Sequence, residues 1–146
     1  MRTHSVVVAS NRLPISVSKS FDGKLSYDVS TGGLATAMSS LEVEDKIWVG
    51  WPGIDNDNLT DDDRQATTVE LEKSGCYPVF LSKQQVEDYY EGYANNTLWP
   101  LLHYFQSVAK YRDEYWAAYQ EVNTLFAEAV ERVAKSHARI WIQFRC

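Results

Sequence analysis

The sequence predicts an α/β fold, a mostly parallel β-sheet with helices on both faces. Two short apolar runs, residues 5–10 and 47–51, are rich in β-branched and aromatic side chains and lack the polar alternation of a half-exposed sheet. They read as strands buried on both sides. Segments of helical spacing follow and separate the strand-like runs, the longest near the carboxyl end. With 45% hydrophobic and 23% charged residues in a length of 146, the chain can bury one core of its own.

Each element has a local signal. The first strand, residues 5–10, is followed by Pro14, which cannot continue a central strand because it donates no hydrogen bond. Residues 15–19 and 25–29 alternate apolar and polar around Asp22-Gly23, a step that favours a tight hairpin. Residues 34–41 have helical spacing, and residues 47–51 form the second buried strand. A loop with Pro52, Gly53 and several Asp and Asn residues leads to Thr60, which precedes Asp61, Asp62 and Asp63. That order suits a helix start, the carboxylates lying where the helix dipole favours negative charge. The helix is expected to reach Ser74 and stop at Gly75. Residues 76–81 are a third strand. Ser82, three residues before Gln85, has capping-box form and starts another helix. Tyr115, Tyr119, Val122, Phe126, Ala129 and Val133 make one apolar stripe along a helix over residues 111–135, and residues 139–142 are a fourth strand.

Composition narrows the function. The net charge of −6 gives no general attraction to nucleic acid or an anionic membrane, so an anion site must be local. No apolar stretch approaches the roughly 20 residues of a transmembrane helix, and the amino terminus lacks the pattern of a cleaved signal. A cytoplasmic protein is expected. Cys76 and Cys146 can form a disulfide by arithmetic, but two free thiols are the expectation. No spacing suits a metal, and no cofactor motif occurs: the G-x-G-x-x-G of dinucleotide-binding folds is missing after the first strand.

Three stretches can carry chemistry. Arg12 lies just past the first strand, at the edge where a parallel sheet opens its ligand crevice; its fork can hold a phosphate, or form an ordinary surface ion pair. Gly32 and Gly33 precede the helix expected at residues 34–41. Without Cβ atoms, their N–H groups can approach an anion, although a plain turn gives the same pattern. Trp51 closes the second buried strand at the crevice mouth, where an aromatic face suits the C–H face of a sugar; a core tryptophan is the alternative. Residues 88–105 are dense in aromatics, including Tyr90 and Trp99, with two asparagines and His103 among them. Side chains with an apolar face and a polar tip fit a pocket that grips a hydroxylated ligand, and some must also serve packing. Paired carboxylates and a nucleophile elbow are not evident.

The segments "SNRLP", "TGGLATAM", "WVGWPG", "PVFLS", "YYEGYANNTLWPLLHYF" and "IWIQ" occur in the order found in trehalose-6-phosphate synthases, and the chain resembles that family over residues 5–143. The resemblance implies retaining transfer of glucose from UDP-glucose to glucose 6-phosphate. It implies a two-domain GT-B architecture, two Rossmann-like domains facing a cleft, of which residues 1–146 are an incomplete first, acceptor-side domain. By motif, Arg12 then holds the phosphate of glucose 6-phosphate, and Trp51, Tyr90 and Trp99 line the acceptor-sugar pocket. Gly32 and Gly33 offer N–H groups to the diphosphate of UDP-glucose. No residue is assigned as catalytic.

The resemblance stops after Gln143, where Phe144-Arg145-Cys146 replaces the Asp-Tyr that the family usually carries. The nucleotide-sugar domain is absent from the sequence, so the expectation is a fragment of such an enzyme, inactive by itself. The competing expectation is a non-catalytic sugar-phosphate-binding regulatory module that associates with full-length synthase subunits.

Overall fold

The computed structural model describes residues 3–30, 36 and 43–143. Strands β1 (His4–Arg12), β4 (Lys46–Trp51), β5 (Cys76–Pro78) and β6 (Ala134–Gln143) form a sheet of order β5-β4-β1-β6, parallel at every pairing. A separate antiparallel hairpin, β2 (Ile15–Lys19) with β3 (Leu25–Val29), turns at Gly23, whose φ of 83° is natural for a residue without Cβ. Of the helix expected at residues 34–41, Thr36 is the described residue and is helical; Gly32 and Gly33 lie outside the described residues.

The sheet separates two apolar layers because alternate residues of a strand face opposite ways. Val8 of β1 and Trp48 of β4 point to one face, where Leu13, Val17, Leu59 and Leu71 cover them. That layer joins the hairpin to α1 (Asp61–Lys73). Val7, Ile47, Val49 and Trp51 point to the other face, under Val122, Ala129 and Val133 of α4 (Asp113–Val133). Cys76 is buried in the first layer, and that burial pushes its thiol up to about 12, so it is an inert thiol.

Both helix starts read from the sequence form reciprocal caps. Thr60 accepts from the Asp63 N–H while the Asp63 carboxylate accepts from the Thr60 N–H, and Ser82 and Gln85 do the same. Each cap satisfies donors that the first helical turn leaves unpaired.

Three elements differ from expectation. β5 ends at Pro78, three residues earlier than the apolar run, although Val79 N–H still donates to the Gly50 carbonyl. A proline has no N–H for the ladder. β6 begins directly after α4 at Ala134, which pairs with His4; the register then shifts, and the ladder resumes at Val6↔Arg139 and runs to Ser10↔Gln143. Finally, the segment after Ser82 is one long helical run: α2 (Lys83–Gln85), a π-helix (Val86–Leu98) and α3 (Trp99–Leu102). Its wide turns pass Trp99 N–H to the Ala94 carbonyl, five residues back. Gly92 allows the run to lie against α4: a Cβ there would stand 2.6 Å from the Tyr115 ring. Tyr93 and Tyr119, with ring centroids 4.3 Å apart, continue that contact. Such wide turns are uncommon and frequent at functional sites.

Candidate functional site

The strand order sets the place. From β1 the chain builds β4 and then β5 on one side, and returns to lay β6 on the other side of β1. Parallel α/β sheets bind ligands at such a reversal, beyond the carboxyl ends of the strands on either side of it. A cavity of about 620 Å³ reaches from there along β6 and α4 as far as Ala134, at the start of β6. Ser10 and Asn11 from β1 and Gln143 from β6 reach it from the strand ends; Tyr90 and Asn95 reach it from the π-helix. Phe126 and Val130 of α4, with Ile140 and Ile142 of β6, make the rest predominantly apolar. Tyr89 also lines the cavity; burial, with the neighbouring Tyr119 and Tyr90, pushes its hydroxyl up to about 12, so it stays a neutral donor.

At the end of β1 the backbone departs from a regular ladder. Ala9 pairs with Val49 and Arg12 with Trp51, so Ser10 and Asn11 together face Gly50 alone, a β-bulge. Only glycine fits opposite. A Cβ on Gly50 would lie 2.9 Å from both the Leu13 nitrogen and the Ser10 carbonyl oxygen. Ser10 fastens the bulge: its hydroxyl donates to the Arg12 carbonyl at 2.7 Å and accepts from the Trp48 indole N–H. The Asn11 amide does the opposite. Its Nδ2 and Oδ1 are both buried and have no hydrogen-bond partner among the described residues. A buried polar group left unpaired costs about 1–3 kcal/mol.

Arg12 emerges from the bulge. Its guanidinium lies over the Trp51 ring, 5.1 Å from the centroid, and Nη2 donates to the Ser16 hydroxyl at 3.2 Å. Gly53, at φ 86°, makes room for it: a Cβ there would come within 2.3 Å of Nη2. Trp51 is 8% exposed and its indole N–H donates to the Ile54 carbonyl, so it is a fixed platform under the charge. Among the described ion pairs Arg12 has no carboxylate partner. The surface ion pair that the sequence also allowed is therefore not what holds it.

The sequence-predicted residues thus fall into groups. Arg12 and Trp51 are in contact, and Tyr90 lines the cavity. Trp99 is 40% exposed on α3, stacked on His103 with centroids 4.2 Å apart, and does not line the described cavity. The His103 ring Nδ1 is engaged by the Trp99 carbonyl at 2.8 Å, which gives that histidine a local structural bond. Gly32 and Gly33 are outside the described residues. Asn11 and Gln143 were not singled out from the sequence, and Asn95 entered only as one of two asparagines in the aromatic segment. The available signal was Gly50, since an isolated glycine inside a strand points to a bulge or a close backbone approach.

Comparison with known proteins gives the family and the fold. The sequence profile of glycosyltransferase family 20 matches residues 4–144. A trehalose-6-phosphate synthase of Mycolicibacterium vanbaalenii is 41% identical over 140 residues, which are 94% of this chain and 28% of the relative. A bifunctional trehalose-6-phosphate synthase/phosphatase of Thermoproteus tenax is 40% identical over 147 residues, 94% of this chain and 19% of the relative. In fold, a UDP-forming α,α-trehalose-phosphate synthase of Burkholderia xenovorans superposes with a TM-score of 0.65 at 25% identity, over 96% of this chain and 27% of that one. The chain thus spans less than a third of the length of each of these proteins. No helix among the described residues is long and apolar enough to cross a membrane.

Proposed function

The chain belongs to glycosyltransferase family 20, and from that premise we propose that it forms the acceptor-side part of a trehalose-6-phosphate synthase. The reaction joins glucose from UDP-glucose to glucose 6-phosphate. Arg12 takes the acceptor phosphate, and Trp51, Tyr90 and Trp99 surround the acceptor sugar; Gly32 and Gly33 offer N–H groups to the donor diphosphate.

One observation carries the reading. At the carboxyl end of β1, one residue on from the cavity-lining Asn11, a guanidinium with no carboxylate partner among the described ion pairs lies over Trp51, in a seat that Gly53 keeps open. A guanidinium fork that follows directly on a cavity-lining amide suits a ligand with a phosphate at one end and hydroxyls at the other. Transfer also requires the donor to be oriented and the charge on the leaving UDP to be stabilised. The described residues provide no cationic cluster for that second task, which belongs to the nucleotide-sugar domain of the proposed two-domain enzyme. Alone, residues 1–146 bind acceptor without turning it over. The phosphorylated substrates and the unpaired Cys76 thiol fit a cytoplasmic location.

The test is a chimera in which this chain replaces the matching part of the Mycolicibacterium vanbaalenii relative. We expect trehalose 6-phosphate from UDP-glucose and glucose 6-phosphate, and none from the 146-residue chain alone. A folded chimera that binds UDP-glucose but neither binds nor uses glucose 6-phosphate contradicts the proposal.

A further inference from the structure

We propose that Asn11 is a specificity residue of the cavity, its amide pairing with ring hydroxyls of the bound sugar; this rests on the acceptor-site reading above. The starting point is an imbalance at the end of β1. Ser10 and Asn11 are adjacent polar residues in one bulge, yet the Ser10 hydroxyl is fully engaged while the Asn11 amide has no partner for its donor or its acceptor. Packing does not require an amide there, and neither does the backbone. Asparagine is often selected for left-handed conformation, but the described non-glycine residues with positive φ are Asp45 and Tyr104. Nor does the side chain close a local turn, since its amide makes no hydrogen bond among the described residues.

The bulge is itself built in. Gly50 is the residue that lets the Ser10 and Leu13 backbone approach so closely, and any larger side chain would collide with main-chain atoms. Bulges re-aim side chains beside functional sites. This one presents Asn11 and then Arg12 in succession, at the carboxyl end of β1, with Asn11 lining the cavity. The chemistry follows from the amide. It sets an N–H donor and a C=O acceptor side by side, while a hydroxyl both donates and accepts, so an amide rotated toward the cavity can pair with two neighbouring hydroxyls of a pyranose. A phosphate, which presents mainly acceptors, would satisfy chiefly the donor half of it. Arg12 therefore recognises the charged end of the ligand, and Asn11 the sugar.

Two predictions separate this from a structural role. Removing a partnerless buried amide relieves the ligand-free protein, so Asn11→Leu should keep or raise the melting temperature. The same variant should weaken glucose 6-phosphate binding about 10- to 100-fold, the value of two lost hydrogen bonds, while leaving the weaker binding of inorganic phosphate unchanged. Binding of both probes to the 146-residue chain is measured by calorimetry for the unaltered protein, Asn11→Leu, Asn11→Ala and Arg12→Ala. Arg12→Ala is expected to weaken both probes. Equal glucose 6-phosphate affinity in both folded Asn11 variants overturns the assignment, as does a fall in melting temperature for both with an unchanged ratio of the two affinities. If the unaltered chain binds no glucose 6-phosphate, the acceptor reading fails, and the melting arm still decides Asn11: a large loss of stability in Asn11→Leu makes it structural.

Discussion

Replacing Arg12 with alanine separates acceptor recognition from donor recognition. In the structure the guanidinium makes one hydrogen bond, to Ser16 at 3.2 Å, and one cation–π contact, 5.1 Å above Trp51. The side chain is exposed, so losing these contacts costs the fold little, about 0.5–1 kcal/mol for the cation–π term at such a site. A melting temperature lower by about 2–4 °C is the most this should produce. The cost to the acceptor is larger. Charge-assisted bonds to a phosphate contribute about 1.5–3 kcal/mol, which raises the acceptor KM by roughly 10- to 150-fold. Arg12→Lys keeps the charge, loses the planar fork and its stacking on Trp51, and should recover only part of this. The assay is saturation of the chimeric synthase with glucose 6-phosphate and, separately, with UDP-glucose. A rise confined to the acceptor is expected. Unchanged acceptor saturation in a folded Arg12→Ala variant refutes the reasoning.

Other perturbations probe the surroundings of that site and of the fold. In Gly53→Ala the new Cβ would stand 2.3 Å from the present position of Arg12 Nη2, on a backbone at φ 86°, so in a folded variant the acceptor KM should rise about 10-fold or more; an unchanged KM would mean the Arg12 position is immaterial. Lys19, with help from the Thr60 N–H and hydroxyl, holds the Asp63 carboxyl down to about 2 from an ordinary 3.8. This carboxylate therefore contributes stability fully above about pH 4, which is lost as the pH falls toward 2. The stability gap between the protein and Asp63→Asn should be open at pH 7 and close across that window, and a gap independent of pH contradicts the cap and ion-pair account. β6 ends the described sheet with Ile140, Trp141 and Ile142 exposed, an arrangement prone to edge pairing. Light scattering should show concentration-dependent self-association that Trp141→Lys reduces; equal scattering would place the sticky surface elsewhere.

Much of this fold is legible in local sequence because the signals are local. Thr60 with Asp63 and Ser82 with Gln85 announce their caps within four residues, and Asp22-Gly23 announces the hairpin. The strand-helix alternation likewise gives the parallel sheet. What escapes is set by partners distant in sequence. The bulge at Ser10 and Asn11 exists only relative to the register of β4, thirty-odd residues on, and Gly50 is its single trace in the sequence. The π-helix runs through Gly92 as an unbroken element because Tyr115 of α4 lies against that glycine. Arg12 and Tyr90 could be singled out by residue type and motif, whereas Asn11 could not, since its lack of a partner is a property of the folded surroundings.

The most direct test of the acceptor site is a titration of the isotopically labelled 146-residue chain with glucose 6-phosphate, followed by amide and side-chain NMR shifts. The account predicts saturable shifts centred on the backbone of Ser10, Asn11 and Arg12, the Arg12 guanidinium, the Trp51 indole N–H and the Tyr90 amide, and none of comparable size on α1 or the β2–β3 turn. Saturable shifts located away from the carboxyl end of β1, with these groups unmoved, would contradict it.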